Sequence, residues 1–379
     1  MPLPALNLVS RPALRLYAGP TARAHLAEFG LRPQDIRVVA GAAGGPKGLV
    51  LGPIDRFLFG HWLREAPQTL HLVGASIGAW RMATAAMRDP VSAFERLQHE
   101  YIHQHYAAEA SRTTPSPGLV SRRFADTLEG FFCGEIESLL AHPRRRLHVV
   151  ASHGRHILAR DGALRTPLGY LGAFAANALR RRWLGAWLER VVFSSAGEAL
   201  PVDLHDLRHH RTALTLANFR PALLASCSIP FALEAVAGIP GAPPGAYWDG
   251  GITDYHLHWN YASMNGQGPG VPGLGEAPSL VLYPHFQQAL VPGWLDKTLK
   301  HRHRATPFLD NVVVAAPDPA WVRTLPNGKL PDRRDFRRYA QDLPGRIKTW
   351  GRAVAESERL ADELAEAIAR GPAVEVLPL

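Results

Sequence analysis

The first half of the chain alternates short unbroken apolar runs with stretches whose apolar residues recur every three to four positions. That pattern predicts strands buried on both faces alternating with helices. "DIRVVAG" (35–41), "TLHLVGA" (69–75), "RLHVVAS" (146–152) and "RVVFSSA" (190–196) read as strands. "GGPKGLVLGPIDRFLFGHWL" (44–63) reads as a turn and helix interrupted near Gly52-Pro53, and "SIGAWRMATAAMR" (76–88) as a helix. Asp89-Pro90 suits the cap and first turn of a long helix reaching about Ala110. Further along, "PALLASCSIPFALEAV" (221–236) predicts a helix stopped by Pro230, and "AYWD" a strand ending at Asp249. "NGQGPGVPGLGE" (265–276) reads as a surface loop, and "SLVLYPHF" and "NVVVAAP" as late strands. In the tail Leu360, Leu364 and Ile368 share a helical face that Gly371-Pro372 ends. Without repeats or a marked linker, the expectation is a three-layer α/β/α domain over residues 1–379 with a mostly parallel central sheet. Its motif core lies at 35–260, and an extension of strands and a helix follows at 278–379.

Composition narrows the class. A chain of 379 residues that is 46% apolar can bury a large core, which excludes a disordered chain. It contains no uncharged apolar run long enough to cross a bilayer, and its start lacks a basic end followed by an apolar block. Neither a membrane span nor a secretory leader is therefore expected. Cys133 and Cys227 are too few for a disulfide framework or a four-cysteine zinc site, so a cytoplasmic setting fits. The net charge of +9 comes from arginine clusters at 142–148, 179–190, 297–304 and 332–338, read as solvated surface, with no nucleic-acid partner expected. In "RRRWLGAWLER", Trp183, Leu184, Trp187 and Leu188 fall at helical spacing between basic residues. That pattern predicts a stripe able to touch an anionic membrane.

Candidate chemistry begins at Ser76, held between Gly74 and Gly78 where a buried strand turns sharply into a helix. Such a turn projects the hydroxyl from the carboxyl edge of the sheet, and the helix start offers N–H groups to a developing oxyanion. "GAAGGPKG" (41–48) is a second strand-to-helix turn whose glycines let several N–H groups face one point. Pro46 lacks an N–H, which leaves Gly44, Gly45 and Lys47 as donors. The loop is not a Walker motif, because Gly48 stands where Ser or Thr is required, and it lacks the dinucleotide fingerprint. Only 28 positions separate Gly48 from Ser76, closer than an α/β-hydrolase places its oxyanion loop and nucleophile. Third comes Asp249, before Gly250 and Gly251 at a strand end, where a desolvated carboxylate can act as general base.

"GAAGGPKG", "GASIG" and "ASCSIPFALEAV" followed by "YWDGG", in that order, resemble the patatin-like phospholipases. The resemblance spans about residues 35–260 and implies a cofactor-free lipid acyl hydrolase acting on phospholipids or related esters. It makes Ser76 the nucleophile, Asp249 the base in a Ser-Asp dyad, and Gly44 and Gly45 the oxyanion glycines, with Lys47 at the family's basic position. Ala43 departs from the usual triple glycine and puts the oxyanion geometry in question.

Three other readings compete. "HEYIH" places His99 and His103 on one helix face with Glu100 between them, as in a zinc hydrolase, with Glu129 or Glu135 as a third ligand. His256, His258 or His285 could complete a Ser-His-Asp esterase. A catalytically silent module binding lipid or protein is the third.

Overall fold

The computed structural model describes residues 11–106, 114–266 and 278–379. Eleven strands form one sheet: β1 (Leu14–Ala18), β2 (Ile36–Gly41), β3 (Leu70–Ala75), β4 (Arg145–Gly154), β5 (Leu188–Ser194), β6 (His209–Ala213), β7 (Val236–Ala237), β8 (Ala246–Asp249), β9 (Leu280–Pro284), β10 (Val312–Pro317) and β11 (Leu377–Pro378). Their order is β11-β1-β10-β9-β2-β3-β4-β5-β6, with β8 on β4 and β7 on β8. From β10 through β4 every neighbouring pair is parallel, and β3, β9 and β10 are buried along their whole length. Strands buried on both faces need helices on both faces, and the chain supplies them in an α/β/α arrangement.

The late strands are central rather than appended, since β9 and β10 lie between β1 and β2. The extension at 278–379 carries four α-helices where the sequence suggested one, short Pro319–Val322 and Arg334–Arg338 and longer Leu343–Glu356 and Glu358–Ala369, and the last buries Leu360 and Leu364 as its periodicity predicts. Gly52-Pro53 does not break a helix. It starts one, Gly52–Phe57, after a 3-10 stretch Gly45–Leu51, because proline tolerates a first turn.

Two surface expectations change. "RRRWLGAWLER" forms no amphipathic helix: Arg181–Ala186 is a 3-10 turn, and Leu188–Arg190 enter β5. Leu184 and Leu188 pack into a core with Tyr170 and Trp248, while the buried Arg190 guanidinium holds Asp254 and Asp206, which fixes this stretch as strand. Nor are the arginine clusters all solvated. Arg145 is buried and donates to the carbonyls of Ala85 and Phe59, and Cys133, placed in apolar surroundings by its sequence neighbours, is exposed. Of the loop at 265–276, residues 267–276 lie outside the described residues.

Candidate active site

β4 positions the site. Its residues Arg145–Val150 pair in parallel with β3, ending at Ala75 opposite Val150. The same edge of β4 then pairs antiparallel with β8, Ala151 facing Asp249. Two strands therefore run toward each other along one edge of β4, and their carboxyl ends meet between Val150 and Ala151. Ser76 follows directly on Ala75, so the geometry brings it to Asp249 across 173 positions of sequence, with Oγ donating to Asp249 Oδ2 at 2.7 Å.

Both residues are buried. Ser76 adopts φ 57° and ψ −130°, a left-handed conformation that costs a non-glycine residue about 1–3 kcal/mol and marks a strained elbow. Close packing accounts for the flanking glycines: a Cβ on Gly78 would stand 1.9 Å from the Gly41 carbonyl oxygen, so the oxyanion loop and the serine helix Ile77–Ala85 could not approach. Gly74 lies on β3 beside Gly41. At the other strand end Gly250 passes close to the Val150 carbonyl, and Gly251 donates its N–H to Asp249 Oδ1 at 2.7 Å.

The segment Ser226–Ser228, at the end of helix Phe219–Cys227, locks serine and aspartate to each other. Ser226 Oγ accepts from the Ser76 N–H at 3.0 Å and donates to the Val150 carbonyl at 2.6 Å. The Ser226 and Ser228 carbonyls accept from the N–H groups of Gly250 and Asp249. Ser152 Oγ donates to the Asp249 carbonyl at 2.9 Å. Sequence reasoning missed these roles, which depend on β4 lying beneath three segments at once.

In the glycine loop, the N–H groups of Gly44 and Gly45 have no acceptor among the described residues, and Gly45 lines the same cavity as Ser76. Ala43, the departure from triple glycine, donates its N–H to the Tyr255 carbonyl at 2.9 Å and so takes no part in that donor set. Its methyl occupies the space a Cβ on Gly251 would need, 2.5 Å away. Lys47 sits in the first turn with Nζ 4.9 Å from the Phe286 ring, and burial lowers its ammonium below the ordinary lysine value.

Burial likewise pushes the Asp249 carboxyl above the ordinary aspartate value, opposed by the nearby Arg333 guanidinium and the hydrogen bonds from Ser76 and Gly251. Each competing histidine bonds elsewhere through at least one ring nitrogen, and Nε2 of His256 and His285 has no partner among the described residues. His256 Nδ1 accepts from the Val291 N–H, His258 bonds Leu290 and Thr306, and His285 Nδ1 accepts from the Gln287 N–H. Burial depresses all three, His285 to about 3. His103 Nδ1 bonds the His99 carbonyl within helix Pro90–His103, Glu100 pairs with Arg96, Glu129 with Arg220, and Glu135 bonds Ser138. Among the described residues no three His, Cys, Asp or Glu side chains converge to hold a metal ion.

Ser76 opens onto a cavity of about 980 Å³. Ile77, Trp80, Val120, Phe124, Ile229 and Leu233 supply apolar lining, and Arg333, Arg337 and Arg346 supply positive charge. Arg346 is only 4% exposed, stacks on Phe336 and Trp350, and makes no ion pair among the described residues; its Nε has no partner there. Arg333 and Arg337 come from the 332–338 cluster, read from sequence as solvated surface, and Arg346 from the helix after it.

No protein-family profile and no curated protein matches the chain. Among solved structures, it is similar to VipD from Legionella pneumophila at 13% identity and a TM-score of 0.37, over 89% of this chain and 67% of that chain. No helix among the described residues is long and apolar enough to cross a membrane.

Proposed function

We propose that the chain is a patatin-like serine acyl hydrolase that cleaves carboxylic esters of lipids through Ser76 and Asp249. The observation that carries this reading is the 2.7 Å hydrogen bond to a buried carboxylate from a strained, buried serine hydroxyl that lines a large cavity. A carboxylate raised by desolvation is the stronger base, and it lies within direct reach of the proton it must take.

Catalysis runs in two steps. Asp249 takes the Ser76 proton as Oγ attacks the ester carbonyl, and the alcohol leaves with that proton, giving an acyl-serine. The amides of Gly44, Gly45 and Lys47, together with the start of helix Ile77–Ala85, hold the oxyanion. Water then loses a proton to Asp249 and attacks the acyl-serine, and as the fatty acid leaves Asp249 returns that proton to Ser76 Oγ. The apolar lining suits an acyl chain, and Arg346, which has no carboxylate partner among the described residues, suits an anionic head group together with Arg333 and Arg337, which favours phospholipids or lysophospholipids over neutral esters.

Labelling with a fluorophosphonate probe tests the reading. Wild-type protein should label and Ser76→Ala should not; folded wild-type protein that stays unlabelled overturns it.

A further inference from the structure

Helix Arg165–Leu179 turns an apolar face outward. Leu164, Leu168, Leu171, Phe174, Ala175 and Leu179 recur at helical spacing, and all are exposed, Leu164, Leu171 and Leu179 at 78%, 66% and 75%. The opposite face packs through Tyr170, Ala173 and Asn177. Trp183, just beyond the helix, is 47% exposed and lengthens the patch.

Charge at the rim is mostly basic, although exposed Asp161 and Glu234 lie at its edge and buried Asp296 pairs with Arg181 and Arg302. From Gly162 to Leu188 the chain carries Arg165, Arg180, Arg181 and Arg182 and no acidic residue. Arg302 donates to the Asn177 and Ala178 carbonyls at the helix end, which sets exposed Lys300 and Arg304 beside it. Asp161, at the helix start, is committed to Thr166, Gly162 and the Ala235 N–H.

Through its packed face the helix adjoins the catalytic cavity. Tyr170 lies edge-on to Trp248, the neighbour of Asp249, and to Phe231, with centroids 5.8 and 6.0 Å apart. Phe231 is itself exposed, held at φ 69°, and lines the cavity that holds Ser76.

We propose that the outward face of helix Arg165–Leu179, with Trp183 and Phe231, docks on the surface of an anionic lipid bilayer and delivers the cavity mouth to it. An apolar stripe within a basic rim matches the interface of such a bilayer, acyl chains below and negative head groups around. Two copies of the chain meeting on this face would instead bring like-charged rims together. Docking requires neither Ser76 nor Asp249 and so stands apart from the hydrolase reading.

Co-sedimentation with vesicles tests it, using full-length Ser76→Ala protein so that hydrolysis does not alter the lipid. Vesicles containing phosphatidylglycerol should bind roughly tenfold or more better than phosphatidylcholine alone, and added salt should weaken binding. Leu168→Ser with Leu171→Ser should lower that binding roughly tenfold or more, since two buried leucines are lost from the contact. In a Ser76 background the same pair should leave hydrolysis of a short soluble ester unchanged, which shows that the fold survives. Failure to bind anionic vesicles, or undiminished binding by the double variant, overturns the proposal. So does a dimer that the double variant dissociates, since the face would then join two copies of the chain.

Discussion

Replacing Asp249 by Asn isolates the proposed base. Asn keeps the shape of the side chain and both contacts: its carbonyl oxygen can accept from the Gly251 N–H, and its amide can donate to Ser76 Oγ, where Oδ2 now accepts at 2.7 Å. What it loses is the ability to take a proton. General-base catalysis is worth about 10²–10⁴ in rate, and here the same carboxylate serves both acylation and deacylation. The expected fall in kcat is therefore about 10³-fold, or about 4 kcal/mol, with KM little changed because the acyl pocket is intact. Stability should move the other way. Burial raises the Asp249 pKa above its unfolded value, so ionising it opposes folding. Wild-type stability is lost as pH rises from the ordinary aspartate value through the raised one, at about 1.4 kcal/mol for each pH unit between the two. The Asn variant escapes that loss and should melt higher at neutral pH, with a gap that closes toward acid. Turnover of a soluble chromogenic ester and thermal melts across pH read both effects. A variant that keeps more than about a tenth of wild-type kcat refutes the dyad, and loss of activity in His105→Ala, a histidine lining the cavity, would move the base there.

Ser226→Ala removes the acceptor for the Ser76 N–H and leaves that buried amide unpaired; it should cost about 1–3 kcal/mol in a denaturant melt and lower kcat more than it raises KM. Gly78→Ala forces a Cβ against the Gly41 carbonyl and should abolish fluorophosphonate labelling, while Gly130→Ala, where a Cβ meets nothing, should not. Arg346→Met should raise KM for a phosphate-bearing acyl ester about tenfold and leave a neutral ester of equal chain length unaffected. Because Arg346 also donates to the Gln104 carbonyl and stacks on Phe336 and Trp350, the same change should lower the melting temperature, which a thermal melt reads separately from KM.

The parallel core strands were legible because each is a run of apolar residues long enough to be buried on both faces; β2, β3, β9 and β10 lie within a residue or two of their predicted places. β1 and β6 were not. "LRLYA" and "HHRTA" carry basic residues, and β6 ends the sheet with Thr212 alone of its five residues buried, so neither reads as a buried run. Helix Arg165–Leu179 escaped notice for a related reason: its apolar residues face out, and its small buried-face residues carry no pattern. At the site, Ser76, Asp249 and the glycines announce themselves through turn chemistry. The clamp at Ser226 and the arginine lining do not, because a serine in a helix end or an arginine in a basic run has the same local signature whether it faces water or a cavity.

The head-on meeting of β3 and β8 along β4 also times the birth of activity. Elements near in sequence form early, whereas closing a long loop is slow and must wait for partners to be in place. Here the reacting pair exists only once β4 has gathered segments 173 positions apart. During refolding, helical signal should therefore recover before fluorophosphonate reactivity does, which makes the probe a clock for the last long-range pairing of the sheet.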